Sequence, residues 1–165
     1  MSKIAVLGSS VDNFLKSHYD IFMVEKIVFA GLSRLMIEDD ILFSTGEHGA
    51  PNMALNYPKC KKQIYLPIEP GLFCKNWTKE EQIQFGYQLD SAEVITITNT
   101  AVNGMGHVRK MFSEADHIIS FWVGERIGST FEQMLLALSL NKTIYHGLDD
   151  NELTYDILMG GWGPK

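Results

Sequence analysis

Arg109 and Lys110, and further along Gly128-Ser129-Thr130 with Glu132, are the residues whose types and spacing could do chemistry. The apolar pattern after Gly128 is that of a helix entered through a small-residue turn, with Glu132 in its first turn. First-turn amides have no acceptor inside the helix. A strand, a tight turn and a helix start therefore make a cradle for an anion, to which Ser129 and Thr130 offer amides and hydroxyls. Arg109 would be a cationic clamp on a phosphate. Lys110 is its neighbour on a helical stretch, so at most one of the two points squarely at a ligand. Glu132 is favoured as an anion where it stands. In a closed pocket it could hold a ribose hydroxyl, or face the cationic, oxocarbenium-like centre formed when an N-glycosidic bond breaks. The same residues also fit a blander use, as a first-turn acid and a pair of surface cations.

Two further turns carry polar groups. Gly8-Ser9-Ser10 ends a short apolar strand over residues 3–7, the usual opening of a nucleotide-binding α/β unit, although the full GxGxxG pattern is absent. The stretch from Thr45 to Asn52 holds Gly46 and Gly49, which let a backbone pass close to a ligand. There Glu47, His48 and Asn52 could face a base or ribose; the alternative is a flexible turn into a helix through Tyr57. Glu47 and His48 are adjacent and do not read as a metal pair, and no cofactor is expected. Asn99, Asn103 and His107 belong to a polar loop that is either a lid or a plain connection.

The elements that must position these groups can be read from periodicity. Apolar residues three and four apart predict a helix over 22–36, and strands are predicted over 41–44, 63–66, 93–98, 117–122 and 143–145. Asp12 is the expected cap of the segment after the first strand. Thr78-x-x-Glu81 is a capping box for a helix to about Leu89, and Pro70-Gly71 reads as a turn. Phe73, Trp77, Phe85 and Tyr87 would pack on the sheet or line a pocket. Further helices are expected over 108–114, over 129–140 with Phe131, Met134, Leu135 and Leu138 buried, and over 151–159, before an end marked by Gly160, Gly161, Gly163 and Pro164. The alternation predicts one α/β domain over 1–165, a Rossmann-like, three-layer, doubly wound, mostly parallel sheet of 5–6 strands.

Composition bounds the function. The chain has 165 residues and a formal charge of -6, from 14 basic and 20 acidic side chains, which argues against a protein built to coat nucleic acid. Cys60 and Cys74 are too few for a disulfide scaffold. No apolar run reaches membrane-spanning length and the start is not a signal peptide, so a cytoplasmic protein with no membrane partner is expected.

Arg109-Lys110-Met111, Asp116 and Gly128-Ser129-Thr130-Phe131-Glu132 together resemble the signature of the LOG-type nucleoside 5′-monophosphate phosphoribohydrolases, often labelled lysine decarboxylase-like. Val6 to Ser10, Thr45 to Met53 and Ala137 to Ile144 extend the resemblance over nearly the whole chain. The wider group shares a Rossmann-like fold with the DNA-processing protein A domain and, more remotely, the nucleoside deoxyribosyltransferases. The resemblance implies Glu132 and Arg109 as catalytic residues. It implies Ser129 beside the phosphate, and a homodimer or larger assembly; with the turns read above, the candidate substrate-binding residues are Gly8, Ser9, Ser10, Gly46, Glu47, His48, Gly49, Asn52, Lys110, Gly128, Ser129 and Thr130. The sequence departs from that family at two turns: 123–127 is longer and charged, with an extra Arg126, and Glu47 and His48 stand where small residues belong.

Two readings lead. One is a hydrolase releasing base and sugar 5-phosphate from a nucleoside 5′-monophosphate. The other is a non-catalytic module that senses or sequesters a nucleotide-derived ligand, cyclic or ADP-ribose-like. A deoxyribosyltransferase would need a second base as acceptor, and a DNA-handling protein would need a basic stripe that the sequence lacks. The expected partner is a small nucleotide rather than a nucleic acid.

Overall fold

The computed structural model describes residues 1–160, so the predicted ending at Gly161, Gly163 and Pro164 lies outside the described residues. Among the described residues six strands form one sheet: β1 (Lys3–Gly8), β2 (Ile41–Ser44), β3 (Lys61–Leu66), β4 (Val94–Ile97), β5 (His117–Phe121) and β6 (Ile144–His146). They lie in the order β4-β3-β2-β1-β5-β6, and each neighbouring pair is parallel. From β1 the chain steps outward through β2, β3 and β4, then returns to lay β5 and β6 on the other side of β1. This is the α/β, doubly wound, Rossmann-like three-layer arrangement. Its order reverses between β1 and β5, where folds of this class leave a crevice at the carboxyl ends of the strands.

Among the described residues eight helices accompany the strands, the last following β6: α1 (Val11–Lys16), α2 (Ile21–Leu35), α3 (Ala50–Ala54), α4 (Pro70–Phe73), α5 (Lys79–Ser91), α6 (Gly106–Glu114), α7 (Ser129–Ser139) and α8 (Tyr155–Gly160). β1 shows how the two faces are built, because its side chains alternate across the pleat. Ile4 and Val6 join the core under α1, α2, α3 and α5. Ala5 and Leu7 join the core under α6, α7 and α8.

The helix starts follow local chemistry. Ser10, not Asp12, caps α1, its hydroxyl accepting from the Asn13 amide at 3.2 Å. Asp20 caps α2, and Thr78 with Glu81 forms the reciprocal capping box of α5. Pro70-Gly71 opens the short helix α4 instead of a free turn, since proline at the first helical position loses no needed amide. Three packing expectations are corrected. Tyr87 is exposed while Phe85 is buried, because the two lie on different faces of α5. Leu135 and Leu138 are only partly buried. The buried face of α7 instead takes in Gln133, Leu136 and Ala137, as the helix packs on β1, β6 and α6 at once.

Candidate functional site

At the β1/β5 crevice the chain's own groups meet first. Gly8 is pressed so close to α3 that a Cβ there would stand 2.4 Å from the Ala50 Cβ. Ser9 is fully buried, and its amide donates to the Phe121 carbonyl at 3.0 Å. Its hydroxyl accepts from the Val123 amide at 3.1 Å and donates to Glu125 Oε1 at 2.5 Å. Thr130, expected to offer its hydroxyl to a ligand, donates it to the Gly8 carbonyl at 2.7 Å. The N-terminus of α7 remains open, for Gly128 supplies no capping side chain. Ser10, by contrast, is engaged as the α1 cap.

The longer turn read at 123–127 proves to be a strap over this crevice. It is bounded by Gly124 and Gly128, with φ of 101° and 100°, and its tip carries exposed Arg126 and Ile127. The indole of buried Trp122 donates to the Glu125 carbonyl at 2.6 Å and ties the strap down. Glu125 Oε2 is buried and has no hydrogen-bond partner among the described residues. Burial pushes the Glu125 carboxyl above its ordinary value, against the opposing Ser9 hydrogen bond. A carboxyl with a raised folded-state pKa costs no stability while both states are protonated. It costs progressively more as pH rises from the ordinary carboxylate range through the raised value. Glu125→Gln is therefore expected to be more stable than the wild type at neutral pH, with the gain shrinking as pH falls through that window. Urea titrations at several pH values read this, and a constant difference at all of them would remove Glu125 as the source.

The β2 turn is held rigidly. The Ser44 hydroxyl accepts from the Gly46 amide at 3.0 Å and donates to the Pro51 carbonyl at 2.7 Å. Asn52 donates to the Gly46 carbonyl and to Gln88 Oε1, both at 3.1 Å, while Gln88 returns a bond to Asn52. The buried amide of Gln88 on α5 carries no local sequence signal, so sequence reasoning misses it. His48 packs at a tilt against Trp77, ring centroids 4.0 Å apart, with Nε2 3.2 Å from Glu81 Oε2. Ser10, His48, Gly49 and Asn52 line a cavity of about 470 Å³, together with Asp12 and Glu81.

Glu47 turns the other way, away from His48. With Ser129, Glu132, Gln133 and the 102–105 loop it lines a separate cavity of about 240 Å³. Its Oε1 lies 3.5 Å from Gln133 Nε2 and 3.7 Å from His107 Nε2. Of the predicted residues, Ser10, His48, Gly49 and Asn52 thus line one cavity, and Glu47, Ser129 and Glu132 line the other. Arg109 stands exposed on α6 and is not among the residues lining either cavity. Lys110 pairs with Glu114 at 2.8 Å. Among the described residues no His, Cys, Asp and Glu side chains gather as a metal-ligand set, and no helix is long and apolar enough to cross a membrane.

No protein-family model matches the chain, and no curated protein sequence matches it significantly. Solved structures do. The chain superposes on TM1055, a structural-genomics target, with a TM-score of 0.52 and 16% identity, over 88% of this chain and 73% of that one. It superposes on DNA processing protein A from Helicobacter pylori, described for its single-stranded DNA binding mode, with a TM-score of 0.57 and 12% identity, over 96% and 72%. These likenesses establish the fold. They also correct the expectation that nucleic acid is not a partner, because a protein that binds single-stranded DNA is built on this same frame. Net charge sums over the whole surface, whereas binding is decided by the local field.

Proposed function

We propose that this protein holds a nucleotide-derived ligand at the carboxyl ends of its parallel strands and does not turn it over. The observation that carries this reading is the strand reversal between β1 and β5, with Gly8-Ser9 on one side and the uncapped start of α7 on the other. Doubly wound folds receive nucleotides at that place. Binding is favoured over cleavage by the position of Arg109, which stands exposed and off the cavity that Glu132 lines. One observation speaks for the hydrolase instead: Glu47 and Glu132 line the same cavity, and paired carboxylates are the usual means of breaking a glycosidic bond.

The test is a thermal-shift and calorimetry panel of nucleoside monophosphates, a cyclic nucleotide, ADP-ribose and a single-stranded oligonucleotide, with chromatography for free base. The expected result is stabilisation by one small nucleotide, about 2.7 kcal/mol at a hundredfold excess over Kd, and no free base. Release of base that Glu132→Gln abolishes would replace the binding reading with the hydrolase. Stabilisation by the oligonucleotide alone would move the function to single-stranded DNA.

A further inference from the structure

Among the described residues, the cavity between Glu47, the 102–105 loop and the start of α7 contains acceptors and lacks cationic donors. Glu47 and Glu132 both line it, and among the described residues no lysine or arginine does. An ionised carboxylate only accepts hydrogen bonds. The partners nearest to Glu47 stand back from it, Gln133 Nε2 at 3.5 Å and His107 Nε2 at 3.7 Å, both beyond a well-formed bond.

His107 is the independent observation. Its side chain is 3% exposed, yet neither ring nitrogen makes a hydrogen bond. Polar groups so deeply buried are almost always paired, and the exceptions call for a reason. Here Nε2 is aimed at a carboxylate that opens on the cavity. A small closure between Glu47 Oε1 and His107 Nε2 would bring the pair into bonding range and leave the other oxygen of Glu47 for a donor in the cavity.

We propose that Glu47, seated by His107 and Gln133, reads the sugar hydroxyls of a bound nucleotide, and that His107 is the positioning residue for that contact. The inference deepens the nucleotide-binding reading and rests on it. The chemistry selects the ligand part: a hydroxyl-bearing sugar supplies O–H donors to an acidic cavity, whereas a phosphate there would bring further acceptors and like charge. Glu132, which lines the same cavity, is a second acceptor for the same donors. A site built to hydrogen-bond a hydroxyl discriminates strongly against an analogue lacking it, because its own polar groups are then left unpaired.

The experiment measures affinities of the four ribonucleoside 5′-monophosphates and of their 2′,3′-dideoxy counterparts by calorimetry, for wild type, Glu47→Gln and His107→Gln. The wild type is expected to prefer the ribo form by about ten- to a hundredfold, the usual worth of a hydrogen bond to a charged group. Glu47→Gln should bring that ratio close to one, and His107→Gln should lower it several-fold. A merely structural role for His107 would weaken both probes equally and leave the ratio unchanged, which would overturn its part. Binding of both probes with no preference in the wild type would overturn the proposal and leave the nucleotide reading intact. Binding of neither would overturn the proposal, and the nucleotide reading would fall with it only if the cyclic nucleotide and ADP-ribose also fail to bind.

Discussion

Gly49→Ala is expected to destabilise the folded protein by about 3 kcal/mol, the sum of backbone strain and overpacking at a site that cannot relax. Gly49 has φ 102° and ψ -148°, a region that side-chain-bearing residues scarcely enter. A Cβ there would also stand 2.4 Å from the Ser9 carbonyl oxygen and 2.9 Å from the Ser10 Cα. Both are backbone atoms at the end of β1. That end is pinned by the Ser9 amide on Phe121 and by the Ala50 amide, which donates to the Ser9 carbonyl at 3.3 Å. No flexible side chain can give way. The strain would fall on the turn carrying Glu47 and His48, so ligand affinity should drop with stability. Gly71→Ala is the control, since a Cβ there meets nothing within 4 Å. Urea titration separates the two, and a loss below about 1 kcal/mol at Gly49 would show that the turn adapts.

Punctuation and periodicity made the frame readable. β1 and β2 ended at glycine and serine turns as predicted, α2 was marked by its apolar stripe, and Thr78 with Glu81 formed the capping box that their spacing encodes. These are short-range signals, each contained within a turn or two of chain. One site contact was equally local: Lys110 and Glu114 stand four apart on a helix, a spacing that favours an ion pair over a free clamp. The contacts that organise the candidate site are different in kind. Ser9 meets Glu125 across 116 residues, Asn52 meets Gln88 across 36, and Glu47 meets Gln133 across 86. Such pairs arise only when the parallel crossovers bring strand ends together, and no local pattern records them. The charged 123–127 stretch stood out in the sequence as a departure from the family it resembles. That its glutamate would fold inward onto Ser9, while its arginine stays at the tip, required the sheet.

Trp122→Ala is expected to cost about 3–5 kcal/mol and to loosen the strap as well as the core. Trp122 is fully buried, its ring near-parallel to Phe131 with centroids 6.3 Å apart. Its carbonyl lies 2.7 Å from His146 Nε2, so its backbone also joins the ends of β5 and β6. Truncation would leave a cavity beneath α7 and remove the indole N–H that holds Glu125. Trp122→Phe separates these effects. It keeps most of the apolar volume and deletes the hydrogen bond to the Glu125 carbonyl, so the stability loss should be well under that of the alanine variant. The strap, however, should open in both. Arg126 at its tip reports this directly, because trypsin cleaves after an arginine only when the flanking backbone can leave the surface. Faster cleavage at Arg126 in Trp122→Phe, with global stability nearly kept, would identify the indole as the strap's latch. An unchanged rate would place the restraint on the Ser9–Glu125 contact instead, and Ser9→Ala, which removes the donor, would then be the variant that opens it. Either way the crevice at the β1/β5 reversal is covered by a segment held through side chains. On the proposed binding reading, a ligand acceptor that reaches Ser9 has to displace the Glu125 carboxyl.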